Sequence, residues 1–219
     1  MVTFALIHGG GSSSWDWHLV AARLQDAGHE AVAIDLPIED DSAGLDDYAR
    51  VVVDAVGLRR DVIVVGHSLG GFTAPLAAEA VDAIGLVYLA GMIPLPGETF
   101  DQWWANTGHD RETIDEDPAV SFLNDVPDAL AREAQNHERD QQGSWMSRPW
   151  PGTGHPKIPT KAILCRDDAF FPPDFMRRQV RDRLGIEPEE IAGGHYVALS
   201  NPGGVADSLV DFAAVIGQD

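Results

Sequence analysis

A serine between two glycines is the first feature of the chain that suggests chemistry. Residues 66–70 read Gly-His-Ser-Leu-Gly, and a β-branched run at residues 62–65 precedes them. A serine at the tip of a sharp strand-to-helix turn is presented to a substrate, and glycines two residues to either side let the strand and the helix approach each other. The spacing therefore favours Ser68 as a nucleophile over a simple Gly/Ser turn.

A serine hydroxyl needs partners, because it is a weak nucleophile until a base takes its proton and a third group orients that base. Of the eight histidines, His195 follows a short predicted strand and precedes the last predicted helix. In a parallel sheet, functional groups lie at the edge formed by the carboxyl ends of the strands, and His195 is expected at that edge. For the acid we prefer Asp168, four residues before Pro172, with Asp167 as the alternative.

The glycine-rich turn near the N-terminus permits a second interpretation. Gly9, Gly11 and Ser14 follow the first predicted strand at a spacing one residue away from a dinucleotide-binding fingerprint, and Asp35 could act as the ribose-binding acid. This signal is weak because the third glycine is missing and the chain has no Tyr-x-x-x-Lys pair. No His-Glu-x-x-His or comparable metal-ligand spacing occurs either. We therefore predict neither a cofactor nor a metal ion.

The elements that must position these residues follow a regular alternation. Strands are predicted at residues 2–7, 31–36, 61–65, 85–89, 161–165 and 190–192. Helices are predicted at residues 16–27, 45–58, 68–81, 172–184 and 202–216. Strands that alternate with helices imply βαβ crossovers. The sequence predicts an α/β fold with a mostly parallel, doubly wound sheet of about six strands.

One segment interrupts this alternation after the fourth strand. Residues 1–91 and 160–219 are assigned to the core, and residues 92–159 to a helical cap or lid. Between Glu98 and Asp140 the chain has twelve acidic residues against three arginines. That charge either disfavours anionic substrates or is a solvated face that keeps the protein in solution.

Aromatic residues of the same segment are candidates for binding substrate. Trp103, Trp104 and Trp145 are expected to line a largely apolar pocket. The alternative is that they pack the segment onto the sheet, as large aromatic side chains often do.

The overall charge and the cysteine content exclude several classes of protein. The net charge of −20, with scattered basic residues, argues against nucleic acid as a partner. No stretch approaches the ~18 apolar residues of a membrane span. Cys165 is the single cysteine, which excludes an intrachain disulfide. We expect a cytoplasmic protein without nucleic-acid or membrane partners, and a homodimer is compatible with the sequence.

Taken together, these motifs resemble the α/β-hydrolases, and within them the small methylesterase and hydroxynitrile-lyase group. The nucleophile, acid and base follow one another in the α/β-hydrolase order. The resemblance covers nearly the whole chain outside residues 92–159. The matching residues are His8-Gly9-Gly10 with Trp15-x-Trp17, Gly28-His29 before Asp35-Leu36-Pro37, residues 66–71, Asp168, and His195 with Leu199-Ser200-x-Pro202.

This resemblance implies an activity and further site residues. The backbone N–H groups of Gly10 and Leu69 should form an oxyanion hole, with His8 and Gly9 beside the substrate. The lyase branch has a hydroxyl residue in place of Gly9 and a lysine in place of Tyr196, so both positions favour ester hydrolysis.

The expected function is a serine hydrolase that cleaves a small apolar carboxylic ester through an acyl-enzyme on Ser68. A catalytically silent module that binds small ligands and a lyase of the hydroxynitrile type remain as alternatives. Carboxylesterase, methylesterase, lactonase and thioesterase activities are not distinguished by the sequence.

Overall fold

A six-stranded sheet forms the centre of the computed structural model, which describes residues 1–110, 112 and 114–217. Each neighbouring pair of strands is parallel, and the strand order is β2-β1-β3-β4-β5-β6. The strands are β1 (Thr3–Ile7), β2 (Glu30–Ile34), β3 (Val62–His67), β4 (Gly85–Leu89), β5 (Thr160–Cys165) and β6 (Glu189–Ile191). The prediction of a mostly parallel α/β sheet is confirmed.

Helices cover both faces of this sheet because the central strands are apolar on both sides. In β1, Phe4 and Leu6 join one buried cluster, whereas Ala5 and Ile7 join the other. The helices of the core are α1 (His18–Asp26), α2 (Leu45–Val56), α3 (Ala74–Ala80), α7 (Pro173–Leu184), α8 (Val197–Ser200) and α9 (Pro202–Ile216). Helices α1 and α9 pack on the first cluster, and α2, α3 and α7 on the second. No helix in the described part of the chain is long and apolar enough to cross a membrane.

The strand order reverses between β1 and β3, and this places the site. The register pairs Ile7 of β1 with Gly66 of β3. The chain therefore leaves both strands at the same edge, where the loop that starts at His8 lies beside Ser68. In open α/β sheets, ligands bind in the crevice at such a switch point.

Residues 92–159, between β4 and β5, form a segment that we call the insertion. It contains α4 (Phe100–Thr107), α5 (Pro118–Ser121) and α6 (Asp128–Asn136). Trp103 and Trp145 are 0% and 3% exposed and belong to the buried cluster beneath it. The insertion is thus packed onto the sheet, and its action as a lid stays a prediction.

Several element boundaries differ from those predicted, and one short helix was missed. The predicted helix at residues 68–81 is a 3-10 helix, Ser68–Phe72, followed by α3. Pro75 explains the break, because it cannot donate the backbone hydrogen bond that a continuous α-helix needs. The third strand extends to His67, and the short helix α8 was not predicted.

Candidate active site

Ser68 lies directly after β3 in a sharp turn. Its φ of +50° is in the left-handed region, which residues other than glycine rarely adopt. The turn closes tightly because the glycines two residues to either side of Ser68 lack side chains. A Cβ on Gly66 would lie 2.6 Å from the Cβ of Ala74, and one on Gly70 would lie 2.5 Å from the carbonyl oxygen of His8. The Gly-x-Ser-x-Gly spacing therefore has a steric cause in this fold.

His195 lies next to the serine although 127 positions separate the two residues in the chain. It belongs to residues 192–196, between β6 and α8, which we call the histidine loop. Its Nε2 is 2.9 Å from the Oγ of Ser68, and the side chain is buried. Nε2 is thus placed to accept the hydroxyl proton.

The carboxylate of Asp168 holds the other side of the imidazole. Its Oδ2 is 2.8 Å from the Nδ1 of His195, and its Oδ1 accepts hydrogen bonds from the N–H groups of Phe170 and Phe171. Because Nδ1 donates to a carboxylate, Nε2 keeps its lone pair for the serine. Asp167 points elsewhere, accepting from the N–H of Gly193 at 3.1 Å.

A second histidine in the turn supports the first. The Nε2 of His67 donates to the backbone carbonyl oxygen of His195 at 2.9 Å, and the two rings lie 5.0 Å apart. Burial lowers the pKa of His67 to about 3, with the nearby His195 acting in the same direction. The ring is therefore neutral and ties the turn to the histidine loop.

His8 fixes the loop on the other side of the serine. Its Nδ1 donates to the carbonyl oxygen of Gly9 at 2.7 Å, and its Nε2 accepts from the N–H of Leu36 at 3.1 Å. Burial lowers the pKa of His8 to about 4, so the ring is neutral as these bonds require. Both ring nitrogens are thus engaged by the backbone, and a contact between His8 and a substrate stays a prediction.

The loop brings Gly10 against Leu69, the residue after Ser68. A Cβ on Gly10 would lie 2.9 Å from the Cδ2 of Leu69. A Cβ on Gly9 would lie 3.1 Å from the Cβ of Ser68. Two backbone segments therefore converge beside the serine, as an oxyanion hole requires, and the role of their N–H groups stays a prediction.

The sequence of the chain matches a known protein family. Residues 4–208 match the sequence model of the alpha/beta hydrolase family. The chain belongs to that family. Methylesterase 7 of Arabidopsis thaliana is 34% identical to this alpha/beta hydrolase, over 96% of the chain and 95% of its own length. Probable esterase PIR7A of Oryza sativa subsp. indica is 28% identical, over 96% of each protein.

Solved structures share the fold of this alpha/beta hydrolase. Polyneuridine aldehyde esterase superposes with a TM-score of 0.84 at 20% identity, over 97% of this chain and 99% of that one. A pyrethroid hydrolase from Sphingobium faniae gives a TM-score of 0.80 at 23% identity, over 100% and 99% of the two chains. At these identities the likeness concerns the fold alone.

Three phenylalanines surround the imidazole of His195. The rings of Phe170, Phe171 and Phe122 lie 4.9, 5.2 and 5.6 Å from that of His195. Phe170 and Phe171 follow the acid directly, and this proximity to Asp168 was the one signal available in the sequence. They exclude water from the imidazole, which strengthens its hydrogen bonds.

The predicted tryptophans do not contact the imidazole of His195 directly, and Trp103 and Trp104 lie one ring further away. Trp103 and Trp104 contact Phe171 at 5.7 and 6.0 Å between ring centroids. Trp145 packs on Phe72 at 6.0 Å, within the buried cluster. All three help to pack the insertion onto the sheet, and their contact with a substrate stays a prediction.

The insertion also contacts the histidine loop through polar groups. The Oδ2 of Asp125 accepts from the N–H of Gly194 at 2.6 Å, and the Nδ2 of Asn124 donates to the carbonyl oxygen of Asp167 at 3.0 Å. A Cβ on Gly194 would lie 2.5 Å from the Oδ1 of Asn124, so a larger residue there would displace the Asn124 side chain. Sequence reasoning missed this contact.

The dinucleotide interpretation finds no support in the position of its acid. The carboxylate of Asp35 accepts hydrogen bonds from the N–H and the hydroxyl of Ser14, at 2.7 and 2.9 Å. It thereby holds the start of a 3-10 helix, Ser14–Trp17. Among the described residues, no group of three or more His, Cys, Asp or Glu side chains is arranged to hold a metal ion.

Proposed function

We propose that this alpha/beta hydrolase is a serine esterase that cleaves a small, largely apolar carboxylic ester through an acyl-enzyme on Ser68. The observation that carries the proposal is the continuous hydrogen-bonded series from Ser68 Oγ through His195 to Asp168, with distances of 2.9 and 2.8 Å. Relatives that match nearly the whole chain are named as an esterase and a methylesterase, which supports the same reaction class.

The first half of the reaction forms the acyl-enzyme. His195 Nε2 takes the proton of Ser68 as Oγ attacks the ester carbonyl carbon. The N–H groups of Gly10 and Leu69 stabilise the oxyanion, and Asp168 stabilises the imidazolium. The C–O bond to the alcohol then breaks, and the leaving oxygen takes the proton from Nε2.

The second half regenerates the serine. Water gives a proton to His195 Nε2 while its oxygen attacks the acyl carbon, and the same N–H groups hold the second oxyanion. The C–O bond to Ser68 breaks, and Oγ recovers its proton from Nε2. The products are one alcohol and one carboxylic acid, with no net change at the enzyme.

The surroundings of the base support an apolar substrate. Phe122, Phe170 and Phe171 lie around the imidazole and favour aliphatic or aromatic groups beside the ester. We further propose that the protein acts in the cytoplasm on a small-molecule ester. The single cysteine, Cys165, is 1% exposed and fits a reducing compartment.

The space beside Gly9 favours ester hydrolysis over cyanohydrin cleavage. A Cβ at this position would lie 3.1 Å from Ser68 Cβ and 3.3 Å from His67 Nδ1. A hydroxyl residue of the kind found in the lyase branch would crowd the nucleophile. The position that holds a lysine in that branch holds Tyr196, so the cation expected for the lyase reaction is also missing.

A panel of esters tests the proposal. Wild-type enzyme should hydrolyse p-nitrophenyl and methyl esters of short apolar acids, and Ser68→Ala should lower kcat at least ~10⁴-fold because the nucleophile is lost. Ser42→Ala, at an exposed serine, is the matched control and should behave as wild type. Equal turnover by wild type and Ser68→Ala would refute the assignment of Ser68.

A further inference from the structure

A small cavity lies beside the proposed catalytic base, and the mechanism above does not use it. It has a volume of about 30 Å³ and is lined on one side by Ser12, Asp16 and Tyr196. On the other side it is lined by the insertion, including Phe122 and Ala134. Because about 10–15 Å³ accommodates one water, the cavity has room for a group of one or two heavy atoms.

The cavity adjoins the reacting groups through two of its walls. Phe122 and Tyr196 line it, and their rings lie 5.6 and 6.2 Å from that of His195. Ser12 is two residues after Gly10, in the loop that starts at His8. The cavity and the imidazole of His195 therefore have two neighbouring rings in common.

Asp16 is a buried polar group that lacks a full set of partners. The residue is 5% exposed, and its Oδ2 has no hydrogen-bond partner among the residues that the structure describes. The hydroxyl groups of Ser12 and Tyr196 are 3.1 Å apart and bond to each other. Leaving a buried carboxylate oxygen unpaired is costly, so a donor from outside the protein is the partner that the site lacks.

The charges around the cavity favour a cationic or hydroxyl donor over an anion. Burial raises the pKa of Asp16 to about 7, a hydrogen bond from the Ser12 hydroxyl to the carboxylate acts against this rise, and the negative charges of Glu138 and Asp35 act with it. Glu138 itself lines the cavity. A donor that binds Oδ2 would keep the carboxylate ionised, whereas an anion would meet two acidic groups.

We propose that this cavity is a subsite that takes a primary ammonium or hydroxyl group carried by the ester substrate, with Asp16 as its acceptor. The inference rests on the proposed esterase function and names the class of substituent that the enzyme prefers. The small volume fits these compact groups, and the apolar walls formed by Phe122 and Ala134 fit the methylene group that carries the donor.

Two matched pairs of esters test the subsite. β-Alanine methyl ester against methyl butanoate places the donor on the acyl side, and ethylene glycol monoacetate against propyl acetate places it on the alcohol side. We expect kcat/KM to favour the donor-bearing ester about 10-fold in one of the pairs, as a hydrogen bond to a charged group typically gives. Asp16→Asn should reduce that ratio to near unity, whereas Asp26→Asn, at an exposed aspartate of α1, should retain it.

A second variant keeps the test decisive if Asp16→Asn does not fold. Ala134→Leu fills the cavity from the insertion and should abolish the same preference, with the ratio measured within one enzyme preparation. Hydrolysis of the plain esters without any preference, or a preference unchanged in both variants, would overturn the subsite and leave the esterase proposal standing. If wild type hydrolyses none of the four esters, the esterase proposal fails and the subsite fails with it.

Discussion

At Ser68, the left-handed backbone and the burial of the surrounding histidines both fix the direction of the hydroxyl. A φ of +50° at a residue other than glycine costs about 1–3 kcal/mol and persists only where the neighbouring structure holds it. The hydrogen bond between the carbonyl oxygen of Ser68 and the N–H of Met92, 2.9 Å long, is one such restraint. The Ser68 hydroxyl is therefore held in place by the fold itself.

Asp168 and Asp167 should differ sharply on substitution. Asp168→Asn would set an NH₂ group either against His195 Nδ1–H or against the N–H groups of Phe170 and Phe171. We expect kcat to fall on the order of 10⁴-fold, since the imidazole loses its orienting acceptor. Asp167→Asn keeps an oxygen for the N–H of Gly193, and kcat should stay within ~10-fold of wild type. Steady-state kinetics with one ester compares them, and the reverse ranking would exchange their roles.

The spacing of residues in the sequence predicts some residues of the candidate site but not others. Ser68, Asp168 and His195 were predictable because each occupies a fixed place after a strand, where the chain turns at one edge of the sheet. The bond from His67 to the carbonyl oxygen of His195 was not, because it joins positions 128 apart through a backbone atom. No pattern of residue types records such a contact.

At the scale of elements, the insertion is coupled to the histidine loop through Asp125. Its carboxylate accepts from the N–H of Gly194, the residue before His195. Asp125→Ala should lower kcat/KM about 10-fold, since small displacements of a catalytic group have large effects on rate. Glu133→Ala, at an exposed acid of α6, is the matched control and should match wild type. An unchanged kcat/KM in Asp125→Ala would show that the histidine loop holds its shape without the Asp125 hydrogen bond.

Elements that are buried in the sheet were predicted more accurately than the exposed helices of the insertion. The central strands were found at nearly their observed positions because continuous β-branched runs are typical of strands buried on both faces. The helices of the insertion were not placed, since α5 has four residues and α6 is mostly polar. Their positions are set by a small cluster that includes Leu123, Val126 and Leu199, which are distant in the chain.

For the whole molecule, buried titratable groups set the pH dependence of stability. The pKa values of His8 and His67 are lowered to about 4 and about 3, mainly by burial. Below pH ~6.5 the unfolded chain takes up protons there and the folded protein does not, so acid destabilises it. Asp16, with its pKa raised to about 7, has the opposite effect because the folded protein takes up the proton first.

Two variants separate these opposing effects. Between about pH 7 and about pH 5, His67→Gln should lose about 2 kcal/mol less unfolding free energy than wild type, and Asp16→Asn about 2 kcal/mol more. Urea unfolding at the two pH values measures both changes. His18→Gln, at an exposed histidine, is the control and should follow wild type. The same change in all four proteins would contradict the burial argument.

The central claim is that Ser68 is an activated nucleophile in a hydrogen-bonded series with His195 and Asp168. Its most direct test is the reaction with a fluorophosphonate probe, read by intact mass and by peptide mapping. Wild type should gain one equivalent of label on Ser68, with loss of fluoride, and Ser68→Ala should gain none. An unlabelled wild type that still binds small ligands, or equal labelling of Ser68→Ala, would contradict the account and favour a silent binding module.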